Sequence, residues 1–222
     1  MCRLLLVENP AGIDPNPFLA RFRQVCRDSL EYQGHGWGCA WLDDARRWQI
    51  YRSIDPVWDD PKADFPATSA FLAHARSAFR DEGIVIENNM PFSDGRSVFL
   101  FNGELQGVRV RSEGRIGAEK IYNFIRRFDK GDLAAAVQKG VDIIAGRTRY
   151  IRAMNFLLAT PQAVQVCSWF GEYPEYFQMR RTQDGTTGII CSDPLPGADL
   201  TWEKIPNRWL GTVPLVRDAG NC

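Results

Sequence analysis

The chain has 222 residues, 45% of them hydrophobic, and its 27 Lys+Arg balance 27 Asp+Glu. That length suits one large domain or two small ones around a substantial core. A formal charge of zero gives no nucleic-acid footprint, and no stretch approaches the about 20 apolar residues of a membrane span.

Leu4–Val7 reads as a buried first strand, and Glu8 and Pro10 end it too soon for a signal-peptide core. Pro17 then opens a helix, with Asn16 or Asp14 as its cap. Phe18, Leu19, Phe22, Val25, Cys26 and Leu30 follow at helical spacing on one face. Gly38–Leu42 and Trp48–Ile54 read as strands joined by the polar turn Asp43-Asp44-Ala45-Arg46. Phe71–Ser77 and Val98–Phe101 read as further strands. Ile121, Phe124, Ile125 and Phe128 mark a second helix; Leu133, Val137, Val141 and Ile144 mark a third, ended by Gly146. Strands return at Asn155–Ala159, Ala163–Trp169, Gln178–Arg181 and Gly188–Cys191. Strands at both ends with adjacent helices between them predict α+β layers with antiparallel sheets, not a βαβ alternation.

The six cysteines form no C-x-x-C pair and read as reduced thiols of a cytosolic protein. With only His35 and His74 available, a Cys/His metal site is not expected. Two mildly basic stretches, one with Arg109, Arg111 and Arg115 and the other with Arg147, Arg149 and Arg152, read as solvated faces or anion contacts.

Cys2 lies directly behind Met1. Removal of that methionine leaves one residue with both a thiol nucleophile and an α-amine. Such an amine has a pKa of about 7.7–8.0 and can act as the base. By position alone Cys2 reads first as a buried apolar thiol in the first strand, and the case for a nucleophile must come from elsewhere in the chain. Several short motifs fall in order behind it: Gly36-Trp37-Gly38, His74-Ala75-Arg76-Ser77-Ala78, Asn89-Met90-Pro91-Phe92, Phe101-Asn102-Gly103-Glu104-Leu105 and Cys191-Ser192-Asp193-Pro194-Leu195. In this order the chain resembles the class II, N-terminal-nucleophile glutamine amidotransferases, and among them the small stand-alone members.

The resemblance implies a four-layer αββα sandwich of two antiparallel sheets between helices (Ntn-hydrolase type), as one domain over residues 1–222. It implies that Cys2 attacks the side-chain amide of glutamine or a γ-glutamyl compound and passes through a thioester. It makes the Asn102 side chain and the Gly103 backbone N–H the oxyanion hole, and Arg76 the holder of the substrate α-carboxylate. Trp37 and His74 join Arg76 as substrate-binding residues, and the loop of Asp193 falls near the pocket. No metal or organic cofactor is required. The partner is a small-molecule amide, and an ammonia-accepting enzyme is compatible with this chemistry.

Read alone, Asn102-Gly103 is a common turn dipeptide, Trp37 is plain core, and Ser192-Asp193 is a turn before Pro194. On a strand, however, His74 and Arg76 share a face.

The chain also departs from the family pattern. His35 stands where an aspartate precedes Gly-Trp-Gly, and Met90 and Phe101 stand where histidines are usual. Gly117, in Arg115-Ile116-Gly117-Ala118-Glu119, replaces the aspartate that contacts the substrate α-amine. Three explanations follow: Glu119 or Asp193 supplies the charge, the substrate lacks an exposed free amine, or catalysis is lost. The corresponding alternative is a catalytically inactive Ntn-fold protein that binds a small ligand or a protein partner. Another is a papain-type hydrolase that pairs an internal cysteine with His35 or His74.

Overall fold

The computed structural model describes residues 1–62, 64–78, 82–197 and 199–216. Two antiparallel sheets lie face to face. The first orders its strands β11-β9-β10-β1-β4-β2-β3, from β1 (Arg3–Ile13), β2 (Trp37–Leu42), β3 (Trp48–Ser53), β4 (Thr68–Ala75), β9 (Arg180–Asp184), β10 (Thr187–Cys191) and β11 (Glu203–Lys204). The second orders them β12-β8-β7-β6-β5, from β5 (Phe92–Ser93), β6 (Val98–Val108), β7 (Thr148–Ala159), β8 (Ala163–Ser168) and β12 (Trp209–Pro214).

Strand alternation sorts the apolar residues into three layers. Leu4 and Leu6 of β1 and Leu72 of β4 meet Val98 and Leu100 of β6 between the sheets. Leu5 and Val7, one residue out of phase, face Leu19 and Phe22 of helix α1 (Asn16–Arg27). On the far side, Phe99 and Phe101 face helices α2 (Gly117–Arg126) and α3 (Leu133–Gly146). The result is the expected αββα sandwich. Each fully buried Leu or Phe contributes roughly 1.5–3 kcal/mol relative to exposure.

Several local expectations change. Helix α1 stops at Arg27, and the Asp28 N–H bonds back to the Gln24 carbonyl. Leu30 therefore falls past the helix and is 91% exposed instead of extending its apolar face. Pro15, not Asn16 or Asp14, takes the cap position and brings no side-chain bond, while Asp14 Oδ1 just ahead of it accepts the Asn16 backbone N–H at 3.0 Å. Asn16 is already helical, and its side chain ties the helix start to the Phe65 backbone. Gln178 and Met179 precede β9 instead of opening it. Strands β11 and β12 lie in a stretch with no alternating apolar pattern, and β12 forms by pairing with β8 from Trp209–Ser168 to Pro214–Ala163. A four-residue helix, α4 (Pro174–Phe177), follows β8, and a single 3-10 turn spans Ile86–Asn88.

Candidate active site

Strand phase decides which polar residues reach the site. Counting in twos back from Leu4, on from Leu72 and on from Leu100 gives Cys2, His74 and Asn102. All three continue the inter-sheet face toward the same end of the sandwich. There a cleft of ≈1100 Å³ opens, and Cys2, Arg76, Gly103 and Gly117 all line it.

Cys2 is 9% exposed, and its Sγ accepts the Ser77 backbone N–H at 3.5 Å. Burial pushes the thiol up from its ordinary value, against the opposing pull of the terminal ammonium, the Ser77 amide and Arg76. The Met1 ammonium bonds Glu31, and the Met1 carbonyl accepts from Gln33 Nε2 at 2.7 Å and from the Tyr176 hydroxyl. With Met1 in place Cys2 has an amide nitrogen and no base of its own.

Arg76 is 5% exposed. Its backbone pairs with His35 and Gly36, while its guanidinium donates to Asn89 Oδ1 at 3.2 Å and to the Glu82 carbonyl at 3.5 Å. Asn89 in turn donates to the Ser53 carbonyl at 2.7 Å. Gly36 makes this joint possible: its φ is +99°, and a Cβ there would come within 2.0 Å of the Asn89 amide nitrogen. The Gly36-Trp37-Gly38 and Asn89-Met90 motifs thus hold one arginine at the mouth of the cleft. Burial lowers its pKa from an ordinary value high enough that the guanidinium stays charged.

His74 is fully buried and shares a hydrogen bond at 3.2 Å between Nε2 and the Phe101 carbonyl, which fixes the proton on Nε2. Burial lowers its pKa to about 3, so the ring is neutral. It braces β4 against β6 and does not line the cleft. Asn102 is also fully buried, and neither its Oδ1 nor its Nδ2 has a partner. A buried amide left unpaired costs roughly 1–3 kcal/mol. Nothing within the described fold repays that cost.

Gly103 is required by the sheet itself. A Cβ there would lie 2.1 Å from the Ala153 carbonyl oxygen across the β6–β7 ladder. At Gly117 a Cβ would meet nothing within 4 Å.

Besides His74, three more expected substrate contacts fall outside the cleft. Trp37 has the opposite phase on β2: it is buried in the α1 layer and donates to Asp60 at 2.7 Å. Asp193 pairs with Arg3 and Arg180 at 3.7 and 3.9 Å, and Arg3 shares the α1-facing side of β1 with Leu5. Glu119 binds back to Arg115, accepting its backbone N–H at 2.6 Å and its guanidinium at 2.7 and 3.0 Å, and does not line the cleft. Neither acid supplies the charge missing at Gly117.

Each basic stretch contributes one arginine to the cleft wall, Arg115 and Arg152. Arg152 draws together Glu172, Glu104 and Glu31 at 2.8, 3.3 and 3.6 Å. Sequence reasoning passed over Glu31, Gln33 and Asn88, and it named Arg152 only within a basic stretch and Asn89 only within a motif. Only the spacing of the arginines and the Asn88-Asn89 pair before Met90-Pro91 offered any signal. The internal thiols are unsuited to catalysis: burial raises both Cys167 and Cys191, the latter to about 12. Among the described residues no cluster of His, Cys, Asp and Glu could hold a metal ion, and no helix could cross a membrane.

No family model and no curated protein matches the sequence. Solved structures do match the fold. A glutamine aminotransferase class-II domain protein from Silicibacter pomeroyi aligns with a TM-score of 0.65 at 16% identity, covering 95% of this chain and 94% of that one. A predicted glutamine amidotransferase from Pseudomonas aeruginosa gives 0.59 at 14% identity over 99% and 100%. The glutamine phosphoribosylpyrophosphate amidotransferase of B. subtilis gives 0.66 at 12% identity, over 98% of this chain but only 50% of its own length. The chain therefore has the fold of class II glutamine amidotransferase domains, and its nearly full-length matches include small proteins of that type.

Proposed function

We propose that the protein is an N-terminal-nucleophile amidohydrolase that cleaves the side-chain amide of glutamine or a γ-glutamyl compound. The observation that carries this is the convergence of Cys2, Arg76 and Gly103 on one cleft, with the buried, unpaired Asn102 amide beside Gly103 on β6.

After removal of Met1, the free α-amine takes the thiol proton and the sulfur attacks the amide carbon. The Asn102 N–H and the Gly103 backbone N–H receive the oxyanion. One such donor supplies roughly 2.7–4 kcal/mol of transition-state stabilisation. Arg76 holds the α-carboxylate as a planar fork. The amine then returns its proton to the leaving nitrogen as the C–N bond breaks, which leaves a thioester. Water, deprotonated by the same amine, adds to the thioester, the C–S bond breaks, and the proton goes back to sulfur as the acid departs. The ammonia is released to solvent or to a separate acceptor enzyme.

The test uses processed protein whose intact mass lacks one methionine. It is incubated with glutamine and γ-glutamyl amides beside Cys2→Ala and Asn102→Leu controls. Release of ammonia or amine should vanish in the first control and fall by roughly 10²–10³ in the second. Equal turnover in the wild type and the Cys2 control sinks the reading.

The second reading, an inactive ligand-binding sandwich, draws on the Gln33, Tyr176 and Glu31 contacts to Met1. Full retention of Met1 on protein from its native cell favours it; loss of Met1 favours the enzyme.

A further inference from the structure

We infer that the substrate presents its α-nitrogen acylated and uncharged, not as a free ammonium; this deepens the hydrolase reading and rests on it. Four observations converge.

The first is the lack of a counter-charge. Arg76 fixes the carboxylate end of the substrate close to Cys2. The α2 wall beside it offers Gly117, with open space in front, where an ammonium would need an acid. Glu119 is locked to Arg115, Glu104 pairs with Arg152, and Glu31 is shared between Arg152 and the chain's own terminal ammonium. Glu82 also lines the cleft, but it is exposed, where an ion pair contributes little.

The second is the sign of the local field. Helix α2 begins at Gly117 with no side-chain cap on its first N–H groups. Its positive end therefore faces the cleft, where it repels a cation and attracts a carbonyl oxygen. Lys120, which lines the same wall, acts in the same direction, while Glu119 offsets the Arg115 charge.

The third is an acceptor in need of a neutral donor. Asn88 is 8% exposed and lines the cleft. Its Nδ2 donates to the Gly83 carbonyl at 2.9 Å, while its Oδ1 is buried without a partner. An acylated nitrogen has one N–H for Asn88 Oδ1 and one C=O for the α2 amides. An ammonium has three donors and no acceptor, and it cannot satisfy both walls.

The fourth is room. The cleft volume of ≈1100 Å³ exceeds what drug-sized ligands usually need, roughly 300–1,000 Å³. Leu105, Val108, Val110, Ile116 and Ile121 give its wall apolar surface among the polar side chains. An acyl group on the α-nitrogen fits that surface.

The test measures calorimetric binding of L-glutamine, N-acetyl-L-glutamine and N-hexanoyl-L-glutamine to the otherwise mature Cys2→Ala protein. N-acetylglutamine should bind roughly tenfold tighter than glutamine, and the hexanoyl compound tighter still. Gly117→Asp should reverse the order of glutamine and N-acetylglutamine, and Asn88→Leu should weaken the acylated ligands while sparing glutamine. Glu82→Gln should leave the order unchanged. Glutamine binding as tightly as the acetylated form, or no binding of any ligand at millimolar concentration, overturns the inference. Turnover by the protein with Cys2 intact is scored separately. Loss of turnover with the binding order preserved sinks the hydrolase reading alone.

Discussion

Gly103 and Gly117 both line the cleft, and the same added methyl group should have opposite consequences at each. In Gly103→Ala the new Cβ lies 2.1 Å from the Ala153 carbonyl oxygen and 2.7 Å from its carbon. Both are backbone atoms held in a ladder that runs from Val98–Ala159 to Val108–Thr148. They cannot swing aside as a flexible side chain would, so the strands must part. Overpacking of this kind costs about 1–3 kcal/mol. For a chain of this size each kcal/mol moves Tm by roughly 2–4 °C, so Tm should fall by roughly 2–12 °C. In Gly117→Ala the Cβ meets nothing within 4 Å, and the residue opens a helix. Restricting the unfolded chain there should leave stability unchanged or raise it by about 0.4–1 kcal/mol. Thermal melts of the two variants beside the parent, followed by circular dichroism at one protein concentration, give the comparison. Equal Tm values for the two variants, or a more stable Gly103→Ala, would refute the close approach of β6 and β7 on which the account of Gly103 depends.

Three further outcomes are expected. His74 is held neutral with a pKa of about 3 against an ordinary 6.5, so the unfolded chain binds the extra proton. The stability this gives is fully present above about pH 6.5 and is lost as pH falls toward 3, at about 1.4 kcal/mol per unit. Urea midpoints between pH 7 and 4.5 should show that slope in the parent and a reduced one in His74→Gln, and identical slopes would contradict it. Arg76→Lys replaces a fork by a point charge and should raise KM for the amide substrate roughly tenfold or more, with the larger part of the loss in KM rather than kcat. Trp37→Phe removes one donor from Asp60, whose carboxyl is held below its usual value because the Lys62 amide, Trp37 and Tyr51 outweigh its burial. It should cost about 1–3 kcal/mol without altering KM; a substrate-binding role for Trp37 predicts the reverse.

The layers of this fold were legible because period-two alternation in Leu4–Val7, Phe71–Ala75 and Val98–Phe101 separates the inter-sheet face from the helical faces. The same parity placed Cys2, His74 and Asn102 on one side. It also excludes Trp37 and Asp193, but only once the phase of β2 and the Arg3 contact are known. Strand β12 escaped notice because its partner β8, not its own composition, makes it a strand. Asn88, Glu31 and Arg152 were illegible for another reason. Their roles arise where segments distant in sequence converge, and beyond the arginine spacing and the Asn88-Asn89 pair nothing nearby signals it.

Gly103 owes its small size to the neighbouring strand, so a chain that had lost all chemistry would still need glycine there to keep its second sheet closed. The dipeptide is thus a poor marker of activity in chains of this shape. The asparagine beside it is the informative half: no group of the described fold pairs with its side-chain amide.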